Sequence, residues 1–262
     1  NMTQYLLAAI PLFIFMASML EKSGVIEEVF DVAYKWLGRI PGGLAVATVV
    51  ASTVLAAMVG VIGAAVVTMA LVVLPSMLRR GYSPVLAVGT VMAGGTLGIL
   101  IPPSVLAIVY GLVANQSVGE LYLGSVFPGL VLSGLYILFS VGYALLNPKA
   151  APRLSPEETP TWSERWRALR SIWSPLVLIF LVLGTIFLGL AAPTEAAAIG
   201  AFGAMVVAAI HRRLSWTILR LALEQTAKAT AMVMWIVFGA NAFVGFYIAQ
   251  GGDRYVSELL LG

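Results

Sequence analysis

A polytopic, all-α membrane protein is the fold class this sequence predicts, and three observations predict it. Of its 262 residues 60% are hydrophobic and only 10% are charged, with a mean hydropathy of +0.98. A soluble domain carries about 25% charged residues, so lipid rather than water surrounds most of this chain. Apolar stretches of membrane-crossing length recur along the whole sequence, and no leader pattern with a small-residue cleavage site opens it. The basic residues, finally, flank the apolar runs, as the positive-inside bias of membrane proteins requires. That bias accounts for the net charge of +3 without any nucleic-acid partner.

Composition also narrows the chemistry. With no cysteine there is no disulfide framework, no thiolate metal site and no cysteine nucleophile. A lone histidine, His211, argues against a histidine-based metal centre, so neither a metal nor an organic cofactor is expected. An intramembrane protease would need paired acids, a Ser-His dyad or His/Glu metal ligands, and the apolar runs offer too few of these.

Residues 1–41 begin with a span from about Tyr5 to Leu20, ended by Glu21 and Lys22. The following "SGVIEEVFDVAYKWLG" places Val25, Ile26, Val29, Phe30, Ala33 and Trp36 on one helical face and Glu27, Glu28, Asp31 and Lys35 on the other. Such a helix suits the membrane interface. Residues 42–78 contain no charge. As one straight helix they would reach about 55 Å, against a hydrocarbon core of about 30 Å, yet two full spans would need about 40 residues plus a turn. Arg39 precedes the run and Arg79-Arg80 follow it, so the chain enters and returns on one side. A re-entrant hairpin with its tip at Gly60-Val61-Ile62-Gly63 satisfies both constraints.

Residues 79–147 hold a span from Pro84 to about Ala114, the polar "NQSVGE", and a second span from Leu121 to Leu146. Residues 148–174 are proline-rich, polar and basic, a cytoplasmic linker leading into an interfacial helix. In residues 175–262 we expect spans at about Pro175–Leu190 and Pro193–Ile210. A short amphipathic helix with Trp216, Leu219 and Leu223 on one face follows, then a span at about Ala229–Ile248. "AQGGDRYVSELLLG" repeats the pattern of "LEKSGVIEEVFDVAYKWLG": apolar span, glycine, acidic amphipathic helix, glycine. Counting crossings, the first copy ends inside and the second outside, the signature of an inverted repeat. The chain opens on Asn1-Met2 and stops just after the second copy, so we read it as a piece of a longer protein.

The first span of residues 79–147 is broken at its middle by "GGTLGILIPPS". Pro102 and Pro103 carry no backbone donor and push the residue before each out of the helical region, so nearby carbonyls lose their partners. Gly94, Gly95 and Gly98 ease unwinding and let another backbone approach. Ser104 can then start a half-helix whose positive end faces the membrane interior. Unwound carbonyls of this kind can coordinate Na⁺, and a half-helix N-terminus can face a carboxylate. The cation-site candidates are Gly60, Ile62, Gly63, Thr96 and Gly98. Gly94, Gly95, Pro102, Pro103 and Ser104 are the candidates for the substrate cavity. Other polar residues have structural explanations: Glu195 caps the helix opened by Pro193, His211 with Arg212-Arg213 is an interfacial anchor at a span end, and for Asn241 a bond to another helix stands beside ligand contact.

"PLFIFMASMLEKSGV", "GGLAVATVV", "LPSMLRRGY", "GTLGILIPPSVLAIVYG", "SVFPGLVL" and "APTEAAAIGAFGA" together resemble the large membrane subunit of tripartite ATP-independent periplasmic (TRAP) transporters, in order and over essentially the whole chain. The resemblance implies an inverted-repeat, elevator-type transporter fold with a re-entrant helical hairpin and a broken transmembrane helix. It implies sodium-driven secondary uptake of an organic acid at the inner membrane, with Na⁺ as coupling ion. A periplasmic binding protein (P-type) would deliver the carboxylate, and a small membrane subunit (Q-type) would join the large one. Family members are usually longer, and a second hairpin with its own Pro-Pro break would complete the site. Many carry serines around the first hairpin tip, where this chain has Val59, Gly60 and Val61, so coordination would fall to backbone carbonyls and Thr96. The tip is closer to a branch associated with 2-oxo acid or related carboxylate uptake. A stand-alone divalent-anion/sodium symporter, needing no binding protein, is the nearest rival, and a non-transporting membrane scaffold a more distant one.

Overall fold

The computed structural model describes residues 2–59, 62–153 and 160–261, and every described secondary-structure element is an α-helix. In chain order they are α1 (Met2–Leu7), α2 (Ala9–Lys22), α3 (Val25–Leu37), α4 (Gly43–Val59), α5 (Ile62–Arg79), α6 (Pro84–Leu100), α7 (Val105–Ala114), α8 (Val118–Leu146), α9 (Trp162–Ser171), α10 (Trp173–Phe187), α11 (Pro193–Ile210), α12 (Trp216–Ala249) and α13 (Gly252–Leu261). Among the described residues five helices are long and apolar enough to cross a membrane, counting Pro84–Ala114 as one. The pair α9 and α10, bent by 47° at their junction, would make a sixth.

One end of the bundle gathers the basic loops. Ser83 N–H donates to the Ala150 carbonyl at 2.8 Å, joining the turn after α5 to the segment after α8. Arg80 lies 4.9 Å over the Tyr34 ring, which brings α3 to the same end. There α4 begins and α5 finishes. Leu44 N–H donates to the Tyr82 hydroxyl at 3.2 Å, and Thr48 lies beside the Met77 sulfur, so the two arms run antiparallel. Their tip, at 60–61, lies outside the described residues. Leu44 N–H is one of the donors a helix leaves unpaired in its first turn, and Tyr82 supplies the missing acceptor. Burial at that contact pushes the Tyr82 phenol pKa up. Tyr82→Phe therefore strands a buried N–H and is expected to cost about 1–3 kcal/mol, read as earlier thermal unfolding with the helix content unchanged.

The amphipathic α3 presents the face its spacing predicts: Val25, Ile26, Val29, Phe30 and Ala33 are buried, with Val32 beside them. That face packs on α4 and α9 rather than standing free. Gly24 and Gly251 both take left-handed backbone (φ 75° and 74°), so each copy of the repeated pattern turns at its glycine. Residues with a side chain strain there, which explains why both turns use glycine. The copies finish at opposite ends. His211, ending α11, contacts Glu28 of α3, so α2 ends where α12 begins, and α12 then runs away from that end.

One sequence expectation is corrected. The short amphipathic helix around Trp216–Leu223 and the span from Ala229 form a single 34-residue helix, α12. Between them lies "EQTAK", which contains no glycine or proline to interrupt the backbone. At 1.5 Å per residue this helix is about 51 Å long.

Candidate functional site

Helix α6 stops where the prolines dictate. Ile101 is extended (φ −83°, ψ 120°), and Ile101 to Ser104 are all buried. Ile101 N–H still reaches the Leu97 carbonyl at 2.9 Å. The next two carbonyls, of Gly98 and Ile99, would require N–H groups on Pro102 and Pro103, which have none. Ser104 then opens α7, its Oγ accepting from Ala107 N–H at 3.4 Å. The Tyr122 hydroxyl, fully buried on α8, donates to the Ser104 carbonyl at 3.2 Å and braces the break from outside. An edge-on contact between the Tyr122 and Phe13 rings, 6.4 Å between centroids, ties that brace to α2.

The hairpin arms close on this helix through its glycines. A Cβ on Gly94 would overlap the Ser52 side chain of α4, and one on Gly95 would overlap Val66 of α5. Ala56 packs with Leu97 and Ile101, so the tip end of the hairpin lies level with the end of α6. Gly98 differs: it is buried, yet among the described residues a Cβ there would meet no atom of another element within 4 Å. Open space therefore adjoins the helix where its carbonyls are released.

The sequence candidates separate on inspection. Gly94, Gly95, Gly98, Pro102, Pro103 and Ser104 belong to one continuous stretch beside α4 and α5. Gly60 lies outside the described residues, and Ile62 and Gly63 form the first turn of α5. Thr96 is exposed, donates to the Ala93 carbonyl at 2.7 Å and meets the Tyr136 hydroxyl at 3.3 Å. The Ser104 hydroxyl is 1% exposed and occupied as the α7 cap.

Four hydroxyls near this stretch escaped the sequence reading. Ser52 Oγ is buried beside Gly94 with no hydrogen-bond partner. Thr53, Ser133 and Tyr136 continue a polar track, with Thr53 bonded to Ser133 and Tyr136 to Thr96. The adjacent Ser52-Thr53 pair inside an uncharged run was the available signal. Among the described residues no group of three or more His, Asp or Glu comes together. Carbonyl and hydroxyl oxygens are what this region offers a ligand, a hard donor set for a hard cation.

Three other candidates acquire partners. Glu195 Oε2 accepts from Ala192 N–H at 2.9 Å, the cap its position implied. Asn241 donates to Val237, a carbonyl of its own helix, at 2.9 Å instead of reaching a neighbour. His211, at the end of α11, has partners on both ring nitrogens: Nε2 lies 2.8 Å from Ser174 Oγ and Nδ1 3.2 Å from a Glu28 carboxylate oxygen.

A bundle of apolar helices with a two-armed hairpin seated against a proline-broken helix defines a multi-pass, all-α membrane protein. Residues 1–262 match the family described as "Tripartite ATP-independent periplasmic transporter, DctM component", and the chain belongs to that family. It is 36% identical over 260 residues to the "C4-dicarboxylate TRAP transporter large permease protein DctM" of Pseudomonas aeruginosa, covering 97% of this chain and 60% of that relative. The "Ectoine/5-hydroxyectoine TRAP transporter large permease protein UehC" of Ruegeria pomeroyi is 32% identical, over 93% of this chain and 56% of its own length. The "Isethionate TRAP transporter permease protein DctMQ" of Oleidesulfovibrio alaskensis is 30% identical, over 97% of this chain and 40% of its own length. The chain thus spans well under two thirds of the length of these curated relatives. These relatives are named as permease proteins, and in this chain Ser174, His211 and Glu28 link α10, the end of α11 and α3.

Proposed function

We propose that this chain is the transporting part of a TRAP large permease, which takes up an organic carboxylate through the inner membrane by coupling it to sodium entry. The carrying observation is the break after α6. It releases the Gly98 and Ile99 carbonyls beside open space while the hairpin is held close by Gly94 and Gly95. Na⁺ binds between the hairpin tip (Gly60, Ile62, Gly63) and Thr96–Gly98, and the carboxylate lies toward Pro102, Pro103 and Ser104 at the N-terminus of α7. Backbone dipoles supply both poles: released carbonyls for the cation, half-helix N–H groups for the anion.

In this reading α4 and α5 enter and leave on the cytoplasmic side, and the hairpin with α6 and α7 moves as a unit against α2, α11 and α12. Inverted-repeat architecture, supported by the opposite endings of α2–α3 and α12–α13, supplies the second half of the site. A periplasmic binding protein delivers the substrate, and a small membrane subunit joins the large one. The relative named DctMQ supports that partner, since this chain covers a smaller share of it than of the other relatives. C4-dicarboxylates and ectoines, named for two relatives, both carry carboxylates and define the substrate class to test first.

The experiment is uptake into proteoliposomes by the full-length permease with its partners. Thr96→Val combined with Gly98→Ala is expected to abolish sodium-driven uptake, because it removes one hydroxyl and fills the space beside the released carbonyls. Expression and helix content should stay at the parent level. Undiminished uptake by the double variant sinks the site.

A further inference from the structure

An apolar crevice of about 350 Å³ opens between α3, α4 and the end of α9. Val29, Ala33, Val50, Val54, Leu169 and Ile172 line it. That volume falls within the roughly 300–1,000 Å³ of small-molecule sites. Trp36 also lines the crevice, and Arg165 lies one helical turn before the lining Leu169; both carry buried donors with no acceptor among the described residues. Arg165 is 7% exposed, yet neither its Nε nor its Nη2 finds a hydrogen-bond partner there, and the Trp36 Nε1 finds none either. Leaving buried donors unpaired costs about 1–3 kcal/mol each, and more for a charged group. Such a group is retained where something absent from the bare chain completes it.

The surroundings say what that is. Arg165, Leu169 and Ile172 fall at i, i+4 and i+7, so one face of α9 carries both the guanidinium and the crevice wall. The Trp36 ring meets those of Trp162 and Trp166 edge-on, at 6.2 and 5.8 Å, and Arg165 lies 5.2 Å over the Trp162 ring. Trp162 and Trp166 are themselves largely exposed, as in the aromatic belt at a membrane surface. Arg167 and Arg170 follow on the same short helix, and Glu164 is turned away, holding Thr161 N–H at 2.7 Å. The pKa of Glu164 is lowered by that bond, so it stays an anion engaged at the helix start. This is also the end where the basic loops collect, which faces the anionic cytoplasmic leaflet.

We infer that the α3–α4–α9 crevice binds one anionic phospholipid, an acyl chain in the apolar wall and its phosphate on Arg165 and Trp36. Arg165 Nε–H and Nη2–H donate to two phosphate oxygens in the fork geometry that guanidinium favours, and Trp36 Nε1–H donates to a third. The acyl chain fills space between the amphipathic α3 and hairpin arm α4, so the lipid acts as a filler between a surface helix and the hairpin. None of these residues belongs to the proposed cation site, and the inference does not depend on it.

Native mass spectrometry of the full-length permease, exchanged into phosphatidylglycerol or phosphatidylcholine nanodiscs and released into detergent, tests this. The parent protein should retain one phosphatidylglycerol per copy and discriminate against phosphatidylcholine. Arg165→Gln should lower that retention about tenfold, the value of one lost charge-assisted pair. Val50→Phe, which fills the crevice, should lower it as far while leaving Arg165 in place. Because Arg165 Nε and Nη2 have no acceptor among the described residues, Arg165→Gln should unfold in lipid-free detergent earlier than the parent by no more than its lost contact over the Trp162 ring is worth; phosphatidylglycerol should raise the parent's unfolding temperature only. Millimolar inorganic phosphate should leave the lipid in place. Displacement by phosphate, or retention by either variant at the parent level, overturns the assignment. So does a benzophenone side chain at Leu169 that cross-links to a protein rather than to lipid, which would mark the crevice as a subunit contact.

Discussion

Gly95→Leu is expected to abolish uptake and to lower the yield of folded permease several-fold, whereas Gly89→Leu, six residues earlier on α6, should leave both near the parent level. The difference lies in what faces each glycine. Nothing stands within 4 Å of a Cβ on Gly89, while Val66 of α5 already occupies that place at Gly95. Val66 is a β-branched side chain on a packed arm, with one favoured rotamer in a helix, so it cannot swing away cheaply. Overpacking of this kind typically costs 1–3 kcal/mol for added methylenes, and a whole leucine side chain exceeds that unless the arm shifts. If the arm shifts, the hairpin leaves α6, and the released Gly98 and Ile99 carbonyls no longer face it. Val66→Ala should partly restore folding and uptake to Gly95→Leu. Full activity of Gly95→Leu alone would show that the hairpin does not need this contact.

How much of this was legible in the sequence depended on whether the cause was local. The break at Ile101–Ser104 was legible, because proline removes a donor and constrains its predecessor wherever it stands. So was the Glu195 cap, three residues from the backbone N–H it accepts. The hairpin arms followed from an uncharged run too short for two spans and bounded by arginines on both sides. What was missed had two causes, a local partner that outcompetes a distant one and partners from elsewhere in the chain. Asn241 looked like a link between helices until its own Val237 carbonyl proved nearer. His211 read as an interfacial anchor alone, because its partners Ser174 and Glu28, 37 and 183 positions away, are invisible to local patterning. Trp216–Leu223 showed a different period from the residues after it, but a change of environment along a helix does not break its backbone. Ser52 was passed over because an apolar run hides a small hydroxyl, and only its contact with Gly94 distinguishes it from packing.

Several polar side chains of the bundle link the elements that carry or brace the site. Tyr122 joins α8 to the break, Thr53 and Ser133 join α4 to α8, and Tyr136 joins α8 to Thr96. Apolar contacts between helices slide without directional loss, but a hydrogen bond must be broken and remade. The bonds that cross from the hairpin to α2 and α12 are therefore the ones to examine for control of movement.

Glu21 makes those bonds, and Glu21→Leu is expected to have the largest stability effect of any single substitution on α2. Its carboxylate ends a predominantly apolar helix, is 7% exposed, and was legible only as a span boundary. In the fold it turns inward. Oε1 accepts from Lys22 Nζ at 2.9 Å and Thr68 Oγ1 at 3.1 Å, and Oε2 accepts from Gln225 Nε2 at 2.8 Å. Thr68 is on hairpin arm α5 and Gln225 on α12, so one carboxylate holds three helices. Gln225 lies nine residues into α12 and Thr68 eleven before the end of α5, depths of about 14 and 16 Å along the helices. Leucine would pack in the same volume but strand the Thr68 and Gln225 donors. Removing one member of a buried charged contact costs about 3–5 kcal/mol, and partial exposure of Lys22, Thr68 and Gln225 reduces this to about 2–3 kcal/mol. Thermal unfolding of the full-length permease should show that loss for Glu21→Leu. Gln225→Leu should lose less, and the double variant should fall short of the sum by the Glu21–Gln225 coupling. Glu21→Gln keeps the shape and an acceptor oxygen but gives up the charge, so stability should fall by no more than about 1 kcal/mol. If the Glu21–Thr68 bond restrains the hairpin, Glu21→Gln should change the uptake rate while leaving half-saturation by sodium unchanged, because no candidate cation ligand is touched. An unchanged rate would leave Glu21 with a purely structural role, and strict additivity in the double variant would remove even the coupling to α12.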